Sequence, residues 1–474
     1  MVFSGIPFLY YFLPCVLLAY FVMPKKGRNF VLLISSLIFY AWGEPVYVFL
    51  MLFSIIIGYL TGILLEKSMK KAWRIMTPGR MLIGSVFLFV AAFVYFKYTD
   101  FFIANINGIT GSKIPLLKIA LPIGISFYTF QIISYLVDVY RGEVPAQKNP
   151  ISLAAYVAMF PQLIAGPIVR YKDVSEQLNE RRTTWEMAEA GITRFVIGLS
   201  KKILIANELG ELCSIFRDSQ DKSVLFYWLY AVAFMLHIYF DFSGYSDMAI
   251  GLGKIFGFTF LENFNYPYIA GSVTEFWRRW HMTLGTWFRD YVYIPLGGNR
   301  VSNAKWYRNI FVVWMFTGIW HGAAWNFLFW GLYFAIFLII EKKWLLNVLK
   351  GSKWFGHIYT IFLVLISFVI FNATDMWTAF EDLGRLFGAG EIPLLSKEAV
   401  YYAKSYVVTI FVGIIGCMPV IPWIRNKWMQ NREDTDTLVG VAYIVKPILL
   451  IVLVLLSTAY LVDGSFNPFL YFRF

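Results

Sequence analysis

Charge is scarce in this sequence. Asp, Glu, Lys and Arg make up 15% of the 474 residues, against 59% hydrophobic and 20% aromatic, and the mean hydropathy is +0.62. A soluble domain carries about 25% charged residues, so the expected solvent is the bilayer and membrane lipids are the expected surroundings. Cysteine is nearly absent: Cys15, Cys213 and Cys417 are too few and too scattered for a disulfide framework or a thiolate metal site, and no metal is expected. The long apolar runs lack strand alternation, which excludes a membrane barrel and leaves helices as the way to satisfy backbone groups in hydrocarbon. Also missing are a serine elbow, a P-loop, a zinc signature and a dinucleotide fingerprint; Gly251-Leu252-Gly253 is not followed by a third glycine. The net charge of +12 comes from Lys and Arg in short loops beside apolar runs. That is the positive-inside pattern rather than a nucleic-acid-binding face, so no nucleic acid is expected.

What is present is a succession of apolar runs. Phe8 to Val22 has no basic residue upstream and no small-residue cleavage site after it, so it reads as a span and not a signal peptide. Basic loops at Lys25-Lys26-Gly27-Arg28 and at Lys67 to Arg80 (with Lys70, Lys71 and Arg74) flank two runs, Phe30 to Trp42 and Val46 to Leu65. Both loops can be cytoplasmic only if these runs form a hairpin whose Gly43-Glu44-Pro45 tip is outside, which puts the N-terminus outside too. Met81 to Tyr98 then runs outward and Leu116 to Val139 returns toward Arg141 and Lys148. Ile151 to Val169, broken by Pro161, Gly166 and Pro167, is expected to be re-entrant, since non-helical backbone at membrane depth must lie inside protein or beside a water-filled cavity. Further runs at Thr193 to Ala206, Val224 to Phe240, Ile310 to Ile340, Ile358 to Phe371, Tyr406 to Trp423 and Val441 to Leu461 bring the expectation to roughly eleven spans of about 20 residues. The expected architecture is an all-α polytopic membrane bundle around a central funnel, and residues 1–474 read as one domain.

An ionisable side chain at membrane depth costs roughly 2.5 to 3.5 kcal/mol, which makes the four histidines the first candidates for function. His321 lies in Thr317-Gly318-Ile319-Trp320-His321-Gly322-Ala323-Ala324-Trp325-Asn326; on a continuous helix it would share a face with Thr317, Gly318, Ala324 and Trp325. Gly318 and Gly322 equally suit a close helix–helix seam. His281 lies in Ser272-Val273-Thr274-Glu275-Phe276-Trp277-Arg278-Arg279-Trp280-His281. Ser272 and Glu275 have capping-box spacing. His281 would then share a face with Trp277, Arg278 and Gly285, although Trp and Arg also serve as interfacial anchors. His237 has Asp241 four residues on, a competing base-and-orienter pair. His357, at the mouth of a span, reads as structural.

Three stretches resemble the membrane-bound O-acyltransferase family: Tyr239-Phe240-Asp241-Phe242-Ser243-Gly244-Tyr245-Ser246-Asp247-Met248-Ala249-Ile250-Gly251, Glu275 to His281, and Trp320-His321-Gly322. The likeness extends from Met1-Val2-Phe3-Ser4 through Leu121 to Tyr128 and Leu163 to Pro167 to Tyr471-Phe472-Arg473-Phe474, and is strongest toward the branch that O-acetylates alginate. It implies that His321 is the family's near-invariant histidine, that His281 is its second, more variable polar position, and that Asp241 belongs to a family motif. It also implies a funnel that admits a cytoplasmic acyl donor. Trp277, Arg278, Arg279, Asp241, Trp320 and Asn326 are the accompanying candidates for substrate binding. Phe371-Asn372-Ala373 departs from the branch's usual Phe-Arg-Ala and bears on partner docking or substrate choice.

The implied activity is transfer of acetyl from acetyl-CoA, a substrate and not a bound cofactor, toward hydroxyls of an exopolysaccharide or cell-wall polymer at the cell membrane, with an extracytoplasmic SGNH-hydrolase-like acetyltransferase as partner. A neutral imidazole can take a hydroxyl proton near physiological pH, and a positioned base is worth about 10²- to 10⁴-fold in rate. D-alanyl transfer to teichoic acid is the enzymatic alternative, and a glycolipid transporter without bond chemistry is the non-enzymatic one. Arg278, Arg279, Arg289 and Lys305 flank the motifs and are candidates for donor phosphates.

Overall fold

The computed structural model describes residues 1–71, 77–163, 166–430 and 435–464. Arg74, Ile164, Ala165 and the C-terminal Tyr471-Phe472-Arg473-Phe474 lie outside the described residues. Among those described, the regular structure is helical throughout, as the apolar runs without alternation require. Five helices are long and apolar enough to cross a membrane, and a sixth crossing is possible through the pair Lys397–Ser405 and Val407–Gly416, bent by 54°. The chain is a multi-pass membrane protein and folds as two compact units, each assembled from non-contiguous segments.

The first unit comprises Met1–Ile192, Ala249–Leu261 and Arg289–Val292. It contains α1 (Leu13–Val22), α2 (Arg28–Gly43), α3 (Tyr47–Lys70), α4 (Pro78–Thr110), α5 (Ile125–Tyr140), α6 (Pro150–Ala158), α7 (Phe160–Leu163), α8 (Tyr171–Asn179) and the start of α9 (Trp185–Ser200). The Gly43-Glu44-Pro45 tip does join α2 to α3. The run from Leu116, however, becomes helical only at Ile125, where Gly124 (φ +77°) turns the chain against the Leu163 carbonyl. Glycines let α5 close on α3: a Cβ on Gly58 would meet Ile132, and one on Gly62 would meet the Tyr135 hydroxyl. Ile151 to Val169 divides into α6, α7 and the non-helical stretch from Gly166, in keeping with an interrupted segment. Phe3, Phe8, Phe39 and Phe160 pack ring to ring as its core, with centroid separations of 4.9 to 6.2 Å.

The second unit comprises Thr193–Met248, Glu262–Phe288 and Tyr293–Phe474. It contains the end of α9, α10 (Glu208–Asp218), most of α11 (Val224–Ile255), α12 (Val273–Trp277), α13 (Met282–Phe288), α14 (Asn303–His321), α15 (Trp325–Ile340), α16 (Leu346–Gly351), α17 (Lys353–Asn372) and the later helices. Two glycine contacts fix its helix crossings. Gly198 of α9 faces the Gly244 carbonyl of α11, with space for no Cβ. Gly318 of α14 lies against Gly331 of α15 in the same way. The expected continuous run from Ile310 to Ile340 is therefore a helical hairpin, α14 and α15, turned at Gly322, Ala323 and Ala324.

Candidate active site

The hairpin places His321 as the last residue of α14, so it does not share a helical face with Ala324 and Trp325 as a continuous helix would require. Gly322 leaves the helix in extended conformation, and a side chain there would collide with the Phe327 ring. The imidazole is buried against three aromatic rings: Trp320 at 4.9 Å, Trp330 at 5.1 Å and Phe371 at 5.3 Å between centroids. Trp330 and Phe371 meet it nearly edge-on, at 85° and 81°. Asn326, fully buried at the start of α15, donates to the Ala373 carbonyl at 2.9 Å and the Ile370 carbonyl at 3.3 Å. It thus clamps the end of α17, and with it Phe371, beside the histidine.

His281 occupies a break between two helices. Ser272 caps α12 by accepting from the Glu275 N–H at 3.0 Å, while the Glu275 carboxylate reaches back to the Gly271 N–H, one residue beyond the capping-box target. The helix ends at Trp277, so His281 does not continue the face of Trp277, Arg278 and Gly285. Instead its backbone is left-handed, φ +45°, a conformation costly for a residue with a Cβ and one that persists only when its surroundings enforce it. Here the enforcement comes from Glu262-Asn263-Phe264-Asn265, which accepts from Met282 N–H at the Asn263 carbonyl (2.9 Å) and donates Asn265 N–H to the Arg279 carbonyl (2.9 Å).

Asn263 also determines the chemistry of the ring. Its amide nitrogen donates to Ser246 at 3.0 Å, so its oxygen is the atom facing Thr283 (2.8 Å) and His281 Nδ1 (3.0 Å). An acceptor at Nδ1 makes that nitrogen the N–H and leaves the lone pair on Nε2. Nε2 is buried and has no hydrogen-bond partner among the described residues. Burial holds the pKa down at about 3, so the ring is neutral. Its centroid lies 6.2 Å from that of Trp320, whose indole also touches His321. The two histidines therefore flank one tryptophan.

The other candidates divide. Trp277 packs on Trp314, Trp330 and Phe334, joining the walls of the His321 box. Arg279 is engaged by Glu275 (2.8 Å) and the Asn265 carbonyl (3.1 Å), whereas Arg278 is exposed and lines a cavity. Asp241 is fully buried in an ion pair with Lys202 at 2.6 Å, and His237 Nδ1 bonds to the Ala206 carbonyl at 2.7 Å; each member of the competing pair is tied to the segment after α9. His357 lines two cavities at the start of α17. Asn372 donates to the Tyr230 hydroxyl, which also accepts from Arg217, itself paired with Asp382 at 2.8 Å. The departure from Phe-Arg-Ala thus sits in a network that already contains a guanidinium.

Three residues escaped the sequence reading. Asn263 lies in an aperiodic connector with no signal beyond a polar residue among aromatics. Lys202 lies beside Lys201 within the apolar run Thr193 to Ala206 and belongs to no motif, yet it is 1% exposed. Glu341, in Glu341-Lys342-Lys343, looks interfacial but is buried, accepting from the Val273 N–H (2.6 Å), the Thr274 N–H (2.8 Å) and the Thr274 hydroxyl (2.6 Å) at the N-terminus of α12.

A buried neutral imidazole and a second buried histidine thus flank Trp320 within a helical membrane bundle. The chain belongs to the MBOAT family, the membrane-bound O-acyltransferases, whose model matches residues 139–376, and it is an O-acyltransferase. Its relatives include the probable alginate O-acetylase AlgI of Pseudomonas aeruginosa, 44% identical over 87% of this chain and 82% of the relative, and the protein of the same name from Pseudomonas putida, 38% identical over the whole of both. A peptidoglycan O-acetyltransferase of Helicobacter pylori is 34% identical over 83% of this chain and 81% of the relative.

Proposed function

We propose that the protein takes acetyl from cytoplasmic acetyl-CoA and delivers it, directly or through an extracytoplasmic SGNH-hydrolase-like partner, to hydroxyls of an exopolysaccharide or cell-wall polymer. The observation that carries this reading is the pair of histidines against Trp320, one of them with its Nε2 lone pair held free in a buried site. The names of the relatives, an alginate O-acetylase and a peptidoglycan O-acetyltransferase, agree with an acetyl cargo and a polymeric acceptor.

In this reading His321 is the base. As the acceptor oxygen attacks the thioester carbon, the imidazole takes the hydroxyl proton; the C–S bond breaks, and the proton passes to the departing thiolate. His281 accepts a hydrogen bond at Nε2 and so orients the incoming group. A thioester is already activated, so orientation with one base suffices. The box of Trp320, Trp330 and Phe371 keeps out water that would hydrolyse the acyl group. In the same reading the protein sits in the plasma membrane with its N-terminus outside, and the whole chain acts as one functional domain.

The test is chemical. Cells lacking the protein should lose O-acetyl signals from their surface polysaccharide by NMR, and membranes should transfer label from acetyl-CoA. Unchanged acetylation would sink the reading, and transfer of D-alanine in its place would redirect it to the teichoic acid reaction.

A further inference from the structure

Two cavities of the second unit share a wall made by Ile269, Lys353 and His357. The first, about 530 Å³, has a mixed lining in which Arg278, Lys350 and Lys353 stand with Ser272, Thr274 and Glu275 opposite apolar side chains. The Glu275 carboxylate is already taken by Arg279 and the Gly271 N–H. Among the described residues, Arg278, Lys350 and Lys353 have no carboxylate partner. Three unpaired cations around one cavity repel each other unless an anion joins them. Lys353 is moreover the first residue of α17, where the helix N-terminus adds positive potential.

The second cavity, about 730 Å³, is predominantly apolar. Met235 and Leu236 of α11, Ile361 and Leu365 of α17, and Ile414 and Met418 form an apolar chamber. Trp354, exposed next to Lys353, marks the level of a membrane interface. The pair of cavities thus presents a cationic mouth beside a hydrocarbon-lined chamber, each in the size range of small-molecule sites.

We propose that this is a binding site for an anionic phospholipid, its phosphate held by Arg278, Lys350 and Lys353 and one acyl chain lying in the chamber between α11 and α17. Basic pockets beside membrane helices attract anionic headgroups at about 1 kcal/mol per Lys or Arg. An acyl chain needs no hydrogen bonds. A pantetheine arm, which offers the same phosphate chemistry at one end, would leave its amides unsatisfied against these walls. The site lies apart from the His321 box and does not depend on the acyl-transfer reading.

The experiment uses full-length protein in nanodiscs of phosphatidylcholine containing a matched mole fraction of phosphatidylglycerol, with retained lipid read by native mass spectrometry. Wild type should retain phosphatidylglycerol over phosphatidylcholine by about tenfold, and Lys350→Gln with Lys353→Gln should abolish that preference. Both lysines are exposed, so the double variant should elute and unfold as wild type does. Leu365→Trp, which fills the chamber and leaves the cations in place, should reduce retention of both lipids. Equal retention of the two lipids by wild type, or an undiminished preference in the lysine variant, would overturn the proposal. So would stoichiometric displacement of the lipid by acetyl-CoA, which would assign the cavities to the donor.

Discussion

Replacing Asn263 by Ala removes the one acceptor that fixes His281. The bonds lost are those to His281 Nδ1 (3.0 Å), Thr283 (2.8 Å) and Ser246 (3.0 Å), all buried. The first sets which nitrogen carries the proton; losing it costs the productive tautomer about 1 to 2 kcal/mol of preference, about five- to thirtyfold in transfer rate. Asn263→Asp keeps an acceptor at that position and should be faster than Asn263→Ala, but with an altered pH profile. In the wild-type protein burial holds the His281 pKa at about 3, so the ring stays neutral across the physiological range and contributes no acid limb there. A carboxylate beside Nδ1 favours the charged ring and raises that pKa, moving the acid limb upward. For stability, the unfolded chain takes up this proton near pH 6.5 and the folded one only near 3, so folding weakens as pH falls through that window, and less so in Asn263→Asp. The assay is acetyl transfer from labelled acetyl-CoA at matched membrane levels, as a function of pH. Wild-type rates in Asn263→Ala, or superimposable profiles for wild type and Asn263→Asp, would refute the tautomer argument.

The remaining predictions concern the histidines and one buried ion pair. His321→Ala should abolish transfer while the protein still accumulates, His281→Asn should keep some activity because an amide can still hydrogen-bond, and His237→Gln and His357→Gln should stay near wild type; an active His321→Ala enzyme overturns the assignment of the base. Lys202→Met strands the buried Asp241 carboxylate and should destabilise by about 3 to 5 kcal/mol, while Lys202→Met with Asp241→Leu should recover much of it; thermal unfolding in detergent reads both, and additive losses would refute a coupled pair.

The sequence was informative where it followed a period. The α2–α3 hairpin and its Gly-Glu-Pro tip and the start of α12 at Ser272 follow from apolar runs and capping chemistry. It misled where a helix ends without a polar signal: Gly322 and the two alanines after it look like helix interior, yet α14 ends at His321 and α15 begins at Trp325. The left-handed backbone at His281 is likewise invisible in Trp-Arg-Arg-Trp-His, because its enforcing partners come from a connector some 15 residues upstream whose bonds are mostly backbone to backbone. Lys202 and Glu341 were unreadable for a common reason: a buried charge differs from an exposed one only by its partner, and both partners are far away in sequence.

The helix α15 has a feature at each end. At its start Asn326 holds the end of α17, which carries Phe371, and Trp330 one turn later touches His321; just past its end Glu341 holds the first N–H groups of α12, the segment that leads into His281. A helix of 16 residues is a rod about 24 Å long, stiff along its axis. The two histidine loops are therefore braced by the two ends of a single strut, so that thinning or tilting of the surrounding bilayer displaces their supports together and leaves their spacing to be set by the protein alone.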